Sequence, residues 1–509
     1  MSEQPQTHGD KPIRDVLVLG AGSAGWMTAL ALRRRVPGLR VTVVRSSELG
    51  VIGVGEGTTA AFPKFLFEQL GLSPAAFYAQ AEPTWKLGLK FLWGPRPGFY
   101  YTFENEFTAA SPGLERTRGF YCESRGPLPE TGRVSALMMA DRVFFPQAAG
   151  PPDLTVSHAY HIENRKLVAF LEASAKDCGI TLVEGLMEGA ETGPEGIRNV
   201  RLEGGRRLEA DLYVDCSGFR AELAGRVLGV PFRSFDDTLF CDRAVIGGWD
   251  RTNETVHPYT TCETMQAGWA WRIEHEHFIN RGYVYSSAFV SDEQATAELL
   301  AANPQITTTP RVVKFRSGRL ERLWEKNVVA NGNAGGFVEP LEATALQAIG
   351  TAASNLADLI RESGGRATPG LRHIYNTFEG GKWDDIRDFL AVHYRYNTRL
   401  DSPFWQHCRA ATPLHGAAAI VDFYQENGPL VQGAPLCLSR DNSFGVEGYY
   451  ALLLGQAVPH SGHLPTDPAG KTAWHALTTG LRRRAAGAFT VPQALSSLRD
   501  PRLRFGSQG

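Results

Sequence analysis

Lys86 and Glu342 are the two residues of this sequence with the most distinctive chemistry. Lys86 lies in the run TWKLGLKF, and Glu342 lies in the run NAGGFVEPLEAT. An amine enclosed by protein can donate a hydrogen bond to an electrophilic oxidant or bond to it, because burial lowers its pKa towards reactivity. A lysine and a carboxylate held together are therefore suited to directing a small oxidant that arrives by diffusion.

Each of these residues also has a structural explanation. On one continuous strand Lys86 and Lys90 would share a face, so the two lysines could belong to an exposed strand face. Glu342 follows Pro340 at the start of a helix predicted over 342–360, where the helix dipole favours a carboxylate. The residues alone leave both explanations open.

The elements that would position these residues begin with a β-α-β pattern. The run DVLVLG predicts a buried strand, AGSAGWMTALALRRR predicts a helix and VTVV predicts a second strand, so a parallel sheet is expected. Gly20, Gly22 and Gly25 form GxGxxG at the first turn, with Ser23 and Ala24 between them. Such a turn lets the backbone approach a pyrophosphate at a helix start, which predicts a dinucleotide site.

The second strand ends with Arg45 instead of the acidic residue that usually binds the ribose. Two explanations remain open. Glu48 or a backbone group could bind the ribose, or Arg45 could alter the ribose contact and accommodate a phosphate there.

Three further glycine-rich junctions favour FAD as the dinucleotide. They are GVGEGTT at 53–59, DCSG at 215–218 and GNAGG at 332–336. In FAD enzymes such strand-to-glycine junctions wrap the cofactor, whereas NAD-dependent dehydrogenases rarely need so many. The residues of these segments that we expect at the cofactor are Gly53, Val54, Gly55, Glu56, Gly57, Asn333, Gly336, Phe337 and Pro340.

Composition narrows the class of protein. The chain has 509 residues, of which 43% are hydrophobic and 21% charged, and its formal net charge is −2. This charge gives no reason to expect nucleic acid or an anionic membrane as a partner. No apolar run approaches the ~20 residues of a membrane-spanning helix, and the seven scattered cysteines include no CxxC pair. We therefore expect a cytoplasmic protein with reduced thiols and no metal site.

The remaining patterns predict two modules. The stretch 240–289 alternates and is aromatic, which predicts antiparallel strands, while 160–178 and the C-terminal part predict helices. We expect a disordered tail at 1–12. The FAD-binding module is expected at 13–60, 140–225 and 310–365, and the substrate-binding module at 61–139, 226–309 and 366–509.

Together these segments resemble the flavin-dependent tryptophan halogenase family over most of the chain. The runs VLGAGSAGW, GVGEGT, VDCSGFR and GNAGGFVEPLEAT are similar to landmarks of that family. Trp269, Trp271 and Ile273 resemble its Trp-x-Trp-x-Ile-Pro motif, but Glu274 replaces the final proline, which suggests a divergent subgroup. The resemblance implies an α/β fold with a Rossmann-like FAD-binding module of the flavin monooxygenase (p-hydroxybenzoate-hydroxylase-like) type. An antiparallel β substrate module and a mainly helical C-terminal part would complete it.

The resemblance also implies a mechanism and roles for individual residues. Reduced FAD (FADH2) from a separate NAD(P)H-flavin reductase, oxygen, and chloride or bromide would yield hypohalous acid that travels to Lys86. There, with Glu342 as the second catalytic residue, it would halogenate an indole or another small electron-rich aromatic substrate. The halide is expected at the backbone N–H groups of Thr344 and Ala345. The residues expected to shield or line the substrate pocket are Trp269, Trp271 and Phe103.

Other interpretations remain open. The altered motif at Glu274 leaves room for a flavin monooxygenase that hydroxylates an aromatic substrate, and a catalytically silent flavin-binding module is a third interpretation. His393 and His407 are interpreted as structural histidines. A homodimer would be compatible with the sequence.

Overall fold

The computed structural model describes residues 12–46, 48, 55–122, 126–148, 150–463, 465 and 467–499. Gly53 and Val54, which the sequence assigns to the cofactor site, lie outside the described residues, and so does nearly all of the predicted tail 1–12.

The first half of the chain is rich in strands. In chain order these are β1 (Asp15–Leu19), β2 (Arg40–Arg45), β3 (Gly55–Gly57), β4 (Thr84–Lys86), β5 (Gly88–Leu92), β6 (Phe99–Thr102), β7 (Ala159–Glu163), β8 (Thr181–Glu184), β9 (Met187–Gly193), β10 (Gly196–Leu202), β11 (Arg207–Glu209) and β12 (Leu212–Asp215). The strands that follow are β13 (Phe232–Ser234), β14 (Arg243–Asp250), β15 (Thr260–Met265), β16 (Gly268–Glu274), β17 (Phe278–Tyr285), β18 (Arg311–Lys314), β19 (Gly318–Leu320), β20 (Trp324–Glu325), β21 (Val328–Ala330) and β22 (Gly336–Phe337).

Helices separate these strands and dominate the C-terminal part. The helices are α1 (Ser23–Arg35), α2 (Ala61–Lys64), α3 (Pro74–Gln80), α4 (Arg133–Met139), α5 (Asn164–Asp177), α6 (Asp292–Ala302), α7 (Ala345–Glu362), α8 (Pro369–Tyr396), α9 (Pro403–Ala411), α10 (Ala418–Asn427), α11 (Gly445–Gly455), α12 (Pro468–Ala486) and α13 (Val491–Arg499). None of the described helices is long and apolar enough to cross a membrane.

Two large sheets carry the two halves of the molecule. The first has the order β20-β21-β12-β1-β2-β8 and is parallel apart from β20. The second has the order β18-β14-β17-β16-β15-β5-β6 and is antiparallel apart from the β15–β5 pair. The expected combination of a Rossmann-like α/β sheet, an antiparallel sheet and a helical C-terminal part is confirmed.

Each large sheet has its own hydrophobic core. Helices α1 and α7 cover the first sheet, and their apolar faces join a core that includes Val18, Leu30 and Leu356. The second sheet packs against α8 to α11 around residues such as Trp269 and Trp405. A small antiparallel sheet with the order β3-β7-β4 lies between them and carries both Gly57 and Lys86.

The structure corrects three predictions about local elements. Residues 160–163 belong to strand β7, so the helix predicted over 160–178 begins only at Asn164. Lys86 and Lys90 do not lie on one strand, because the chain leaves the small sheet at Leu87 and enters the large one as β5. The helix predicted from Glu342 begins at Ala345, after a 3₁₀ turn at Pro340–Glu342.

Candidate active site

The turn between β1 and α1 has the geometry of a dinucleotide-binding turn. Gly20 has a φ of +113°, and a Cβ atom there would lie 2.3 Å from the carbonyl oxygen of Cys216. A Cβ atom on Gly25 would lie 1.8 Å from the carbonyl oxygen of Gly20, so helix and turn meet without a side chain between them. No side chain of the described residues caps α1 at Gly22, which leaves its first N–H groups available to a phosphate.

A cavity of about 280 Å³, the flavin cavity, lies against this turn. The sequence-predicted residues that line it are Gly20, Gly22, Ser23, Ala24, Arg45, Glu56, Asn333 and Ala345. Asn164, Ser217 and Arg220 also line it, and the sequence analysis missed them. A glycine turn, an uncapped helix start and a cavity walled by backbone fit the nucleotide half of FAD.

The predicted cofactor residues among the described ones that do not line this cavity are Gly25, Gly55, Gly57, Gly336, Phe337 and Pro340. Phe337 lines a neighbouring cavity of about 540 Å³ that shares Arg220 and Asn333 with the first. Gly336 precedes Phe337 in β22, and Pro340 begins the turn that carries Glu342. These positions are compatible with contact to the more distant part of the cofactor.

Arg45 lines the flavin cavity, but its guanidinium group is already paired. Its Nη1 lies 2.7 Å from a carboxylate oxygen of Glu172, and its Nε lies 2.8 Å from Oε1 of Glu184. The hydrogen bonds and charges of these two acids raise the pKa of Arg45. The pairing favours a structural role for Arg45 over a ribose or phosphate contact.

Glu56 is an acidic residue of β3 and faces the flavin cavity. Burial raises the pKa of its carboxyl group to about 7. Glu56 is therefore protonated much more readily than an exposed glutamate, and in its protonated form it can donate a hydrogen bond into the cavity.

Lys86 is fully buried at the end of β4. Its Nζ has no hydrogen-bond partner among the described residues and lies 5.6 Å from the centroid of the Phe103 ring. Burial lowers the pKa of Lys86 to about 8, although the charges of Glu342 and Cys262 partly offset the shift. An unpaired buried amine is costly, so its retention points to a functional role.

Glu342 is held at the end of the 3₁₀ turn by a histidine from α8. Its Oε1 lies 2.7 Å from Nε2 of His393, and both side chains are buried. The Nδ1 of His393 lies 3.1 Å from the carbonyl oxygen of Phe389. Because a carbonyl oxygen only accepts, Nδ1 carries a hydrogen, and a proton must also lie between Nε2 and Glu342. The two residues therefore hold a shared proton.

His393, which the sequence analysis interpreted as a structural histidine, is hydrogen-bonded to the predicted catalytic carboxylate. Its ring is packed against Phe91, Trp93 and Phe389, which fixes its orientation towards Glu342. The two partners are far apart in sequence, and the helical pattern of α8 gave no signal for this contact. His407, in contrast, makes an edge-to-face contact with the ring of Phe240 and lines neither cavity.

Gly57 lies next to Lys86 and next to the turn that carries Glu342. A Cβ atom on Gly57 would lie 3.4 Å from Nζ of Lys86 and 3.3 Å from Cβ of Ala343, the neighbour of Glu342. The amine and the Glu342 turn therefore approach each other over the face of a glycine that carries no side chain. Any larger residue at this position would narrow the space between them.

Glu342 lines a second cavity of about 240 Å³, which we call the substrate cavity. Its lining includes the rings of Tyr101, Phe103 and Phe444, together with the polar groups of Thr59 and Gln347. Aromatic rings of this kind suit the faces and edges of a flat aromatic ligand. Phe103, which the sequence assigned to the substrate pocket or its shielding, is one of these rings, and Nζ of Lys86 lies 5.6 Å from its centroid.

The wall between the two cavities consists of two short segments. In the first, Glu56 faces the flavin cavity and Thr59 the substrate cavity. In the second, Ala345 faces the flavin cavity, and Glu342 and Gln347 face the substrate cavity. Thr59 donates a hydrogen bond of 2.7 Å to Oε1 of Gln347 and so joins the two segments.

Thr344 and Ala345 occupy the start of α7, as the halide prediction requires. Thr344 is the N-cap residue, and the first helical hydrogen bond runs from the N–H group of Ala348 to its carbonyl oxygen. The N–H groups that precede this bond belong to the uncapped helix start, and Ala345 lines the flavin cavity. A halide here would lie on the flavin side of the wall.

Trp269 and Trp271 lie on one face of β16, with ring centroids 6.1 Å apart. Both are buried, and their indole N–H groups donate to Glu339 at 3.3 Å and to Asn280 at 2.8 Å. Burial raises the pKa of Glu339 to about 7. Neither tryptophan lines the flavin cavity or the substrate cavity, and both pack in the core of the second sheet.

Glu274, which replaces the proline of the family motif, has a structural explanation. Its side chain is buried and ion-paired with Arg251, and its Oε1 also lies 2.6 Å from Nε of Arg272. This buried arrangement satisfies the carboxylate at the end of β16. It does not place Glu274 on either cavity.

Comparisons with known proteins agree on one family. A sequence model of the tryptophan halogenase family matches residues 15–469. The chain is 32% identical over 452 residues to tryptophan 7-halogenase KtzQ of Kutzneria sp. (strain 744), covering 83% of each chain. It is 31% identical over 438 residues to tryptophan 6-halogenase ThaL of Streptomyces albogriseolus, covering 81% of each chain.

Solved structures give the same result. MibH, a lanthipeptide tryptophan 5-halogenase, is 36% identical and superposes with a TM-score of 0.88, covering 97% of this chain and 95% of its own. BrvH, a flavin-dependent halogenase from Brevundimonas sp. BAL3, is 29% identical with a TM-score of 0.84, covering 95% and 99%.

Proposed function

The chain belongs to the tryptophan halogenase family, and we propose that Lys86 and Glu342 are the catalytic residues with which it halogenates an indole in the substrate cavity. It is a flavin-dependent halogenase, an enzyme that uses oxygen and halide. The hydroxylation alternative is not favoured by these relatives. The observation that carries the proposal is the position of this pair: Lys86 and Glu342 are both buried, Glu342 lines the substrate cavity, and Lys86 lies next to Gly57, close to the turn that carries Glu342.

The residues around the flavin cavity support FAD as the cofactor. The glycine turn and the start of α1 would bind its pyrophosphate, and Glu56 would contact it from β3. When bound in its reduced form, FAD supplies, with oxygen and halide, the hypohalous acid of the reaction. The free N–H groups at Thr344 and Ala345 would hold chloride or bromide on the same side.

Lys86 would receive the hypohalous acid at the wall and aim its halogen at the ring. With a pKa of about 8, the amine is mainly an ammonium at pH 7 but is readily deprotonated. It can therefore donate a hydrogen bond to the oxidant or form a haloamine with it. Either route delivers the halogen at the substrate cavity and away from the flavin cavity.

Glu342 and His393 would donate one proton and accept another during the substitution. Their shared proton passes to the departing hydroxyl group of the hypohalous acid, which leaves as water while a carbon–halogen bond forms. The ring carbon then loses its own proton to Glu342, which restores the pair. The overall change is ring C–H and hypohalous acid to ring C–halogen and water.

Three further features belong to the proposal. A separate NAD(P)H-flavin reductase would supply the reduced cofactor, and a small aromatic molecule or residue would be the substrate. A division into an FAD-binding and a substrate-binding module is supported by the two large sheets with separate cores, although residues from 62–87, 134–138 and 485–495, which the sequence assigned to the substrate-binding module, lie in the core of the first sheet. A homodimer stays a prediction.

Halide-dependent product formation tests the proposal. Purified protein is mixed with FAD, NADH, a flavin reductase, oxygen and a panel of indoles, with and without bromide. A mass gain of one halogen that requires bromide supports halogenation, whereas addition of oxygen regardless of halide rejects it. Lys86→Ala should still oxidise the reduced flavin but form no halogenated product, and unchanged product formation would show that Lys86 has no such role.

A further inference from the structure

The charges around the substrate cavity carry information on which indole it accepts. Three of its lining residues are glutamates, namely Glu104, Glu342 and Glu447. Among the described residues that line it, none is a lysine, an arginine or a histidine. A free amino-acid substrate brings a carboxylate into such a site, and a carboxylate binds well only where a cation or several donors receive it.

Glu447 is already fully used by the protein. Its Oε1 accepts from the backbone N–H groups of Glu106 at 2.7 Å and Phe107 at 2.8 Å. Its Oε2 accepts from the N–H group of Thr108 at 2.9 Å and from the hydroxyl group of Thr108 at 2.6 Å. These four donors are neutral, so among the described residues no cation is hydrogen-bonded to the carboxylate of Glu447, which has no hydrogen-bonding capacity left for a substrate.

The other two carboxylates are also occupied. Glu104 accepts from Nε of Arg133 at 2.8 Å and from its Nη2 at 2.6 Å. Glu342 is paired with His393. The nearby cations are therefore not directed at a ligand: Arg133 is bound to Glu104, and Lys86 lies in the wall beside Phe103.

The pKa of Tyr101, which lines the cavity, reflects the negative charges around it. The pKa of Tyr101 lies well above its ordinary value, first because it is buried and then because the charges of Glu342 and Glu447 oppose its ionisation. A negative field disfavours a second anion in the same space. It favours an electron-rich ring that becomes positively charged when it is attacked by an electrophile.

We propose that the substrate is an indole without a free carboxylate, as in a tryptophan residue whose carboxyl group is held in an amide bond. This inference rests on the proposed halogenase function of the same cavity. The ring would enter between Tyr101, Phe103 and Phe444. The amide chain would point to the exposed rim at Asn105 and Ser443, where it meets no charge that it must satisfy.

A matched pair of compounds tests the proposal. N-acetyl-L-tryptophan amide and N-acetyl-L-tryptophan have nearly the same size and differ in the charge of one group. We expect kcat/KM for halogenation to be at least ~10-fold higher for the amide, because one repelled charge at this range is worth a factor of that order. Tryptamine distinguishes an amide requirement from the mere absence of a carboxylate, and it should also exceed L-tryptophan.

A variant with a cation at the rim sharpens the test. Asn105 is exposed and lines the cavity, so Asn105→Lys should fold and should raise kcat/KM for the acid relative to kcat/KM for the amide. Ala301→Lys, on the exposed end of α6, adds the same charge elsewhere and should leave both values unchanged. Lack of any response to Asn105→Lys would contradict the electrostatic explanation.

Binding separates this inference from the function on which it rests. Ligand affinities for the FAD-loaded protein, measured by saturation-transfer NMR titration, do not require turnover. Equal or tighter binding of the acid overturns the carboxylate inference even if halogenation occurs. Preferred binding of the amide without halide-dependent product would preserve the inference about the cavity and refute the proposed reaction.

Discussion

Replacing Lys86 by methionine should stabilise the protein at neutral pH while abolishing halogenation. The amine is fully buried without a hydrogen-bond partner among the described residues, and burial lowers its pKa from 10.5 to about 8. A pKa difference of this size corresponds to about 3 kcal/mol that the folded protein loses by keeping the group charged. Methionine has a similar length and no charge, so we expect the free energy of unfolding to rise by about 1–3 kcal/mol at pH 7.

The stabilisation by Lys86→Met should depend on pH in a defined direction. Because the pKa of Lys86 is lower in the folded protein, the unfolded chain binds the proton more tightly. The destabilisation by Lys86 is therefore fully present below about pH 8 and disappears as the pH rises towards 10.5. The gain from Lys86→Met should shrink over the same interval.

Urea unfolding of the FAD-free protein at pH 7 and at pH 10 measures both quantities. Lys90→Met is the matched control, since Lys90 is only partly buried and lies over the rings of Tyr100 and Tyr259. Its unfolding free energy should stay the same or fall at both pH values. If Lys86→Met were destabilising at pH 7, or if its effect did not depend on pH, the explanation of Lys86 as an unpaired buried amine would be wrong.

The other predictions concern the proton pair, the wall and the rim of the flavin cavity. His393→Asn removes the shared proton of Glu342 and should lower kcat by ~10–100-fold without changing FAD affinity, whereas His407→Asn should leave steady-state kinetics unchanged. Gly57→Val fills the space beside the catalytic amine, so hydrogen peroxide should increase at the expense of halogenated product; an unchanged ratio would argue against transfer past Gly57. Arg45→Met breaks partly exposed ion pairs and should cost less than ~1 kcal/mol of stability with FAD affinity retained, and a large loss of affinity would reveal a ribose contact.

The cofactor turn could be predicted from sequence because its requirements are local. The GxGxxG turn brings backbone segments so close together that only glycine fits. A Cβ atom added at Gly20 or Gly25 would lie within 2.3 Å of a backbone oxygen. The alternation of 240–289 likewise specified antiparallel strands, since period two is a property of neighbouring residues. Local patterns were sufficient where local geometry decides.

Prediction failed where tertiary contacts decide. The segment 160–163 reads as the start of α5, but its pairing with β3 and β4 makes it a strand. The change of sheet at Leu87 separates Lys86 from Lys90, because Leu87 donates its N–H to the carbonyl oxygen of Pro258 in place of continuing one strand. Neither event has a signature in the period of the residues themselves.

The backbone of one turn explains why Glu342, at the substrate cavity, lies so close to the start of α7, at the flavin cavity. Ala343 adopts a φ of +55°, which is unusual for a residue with a Cβ atom and reverses the chain between Glu342 and Ala345. As a result, the carboxylate faces the substrate cavity, while the helix start that follows within three residues faces the flavin cavity. In the proposed reaction, an oxidant formed on the flavin side would therefore pass only this turn to reach Lys86, because the left-handed backbone of Ala343 places the helix start and the carboxylate at different cavities.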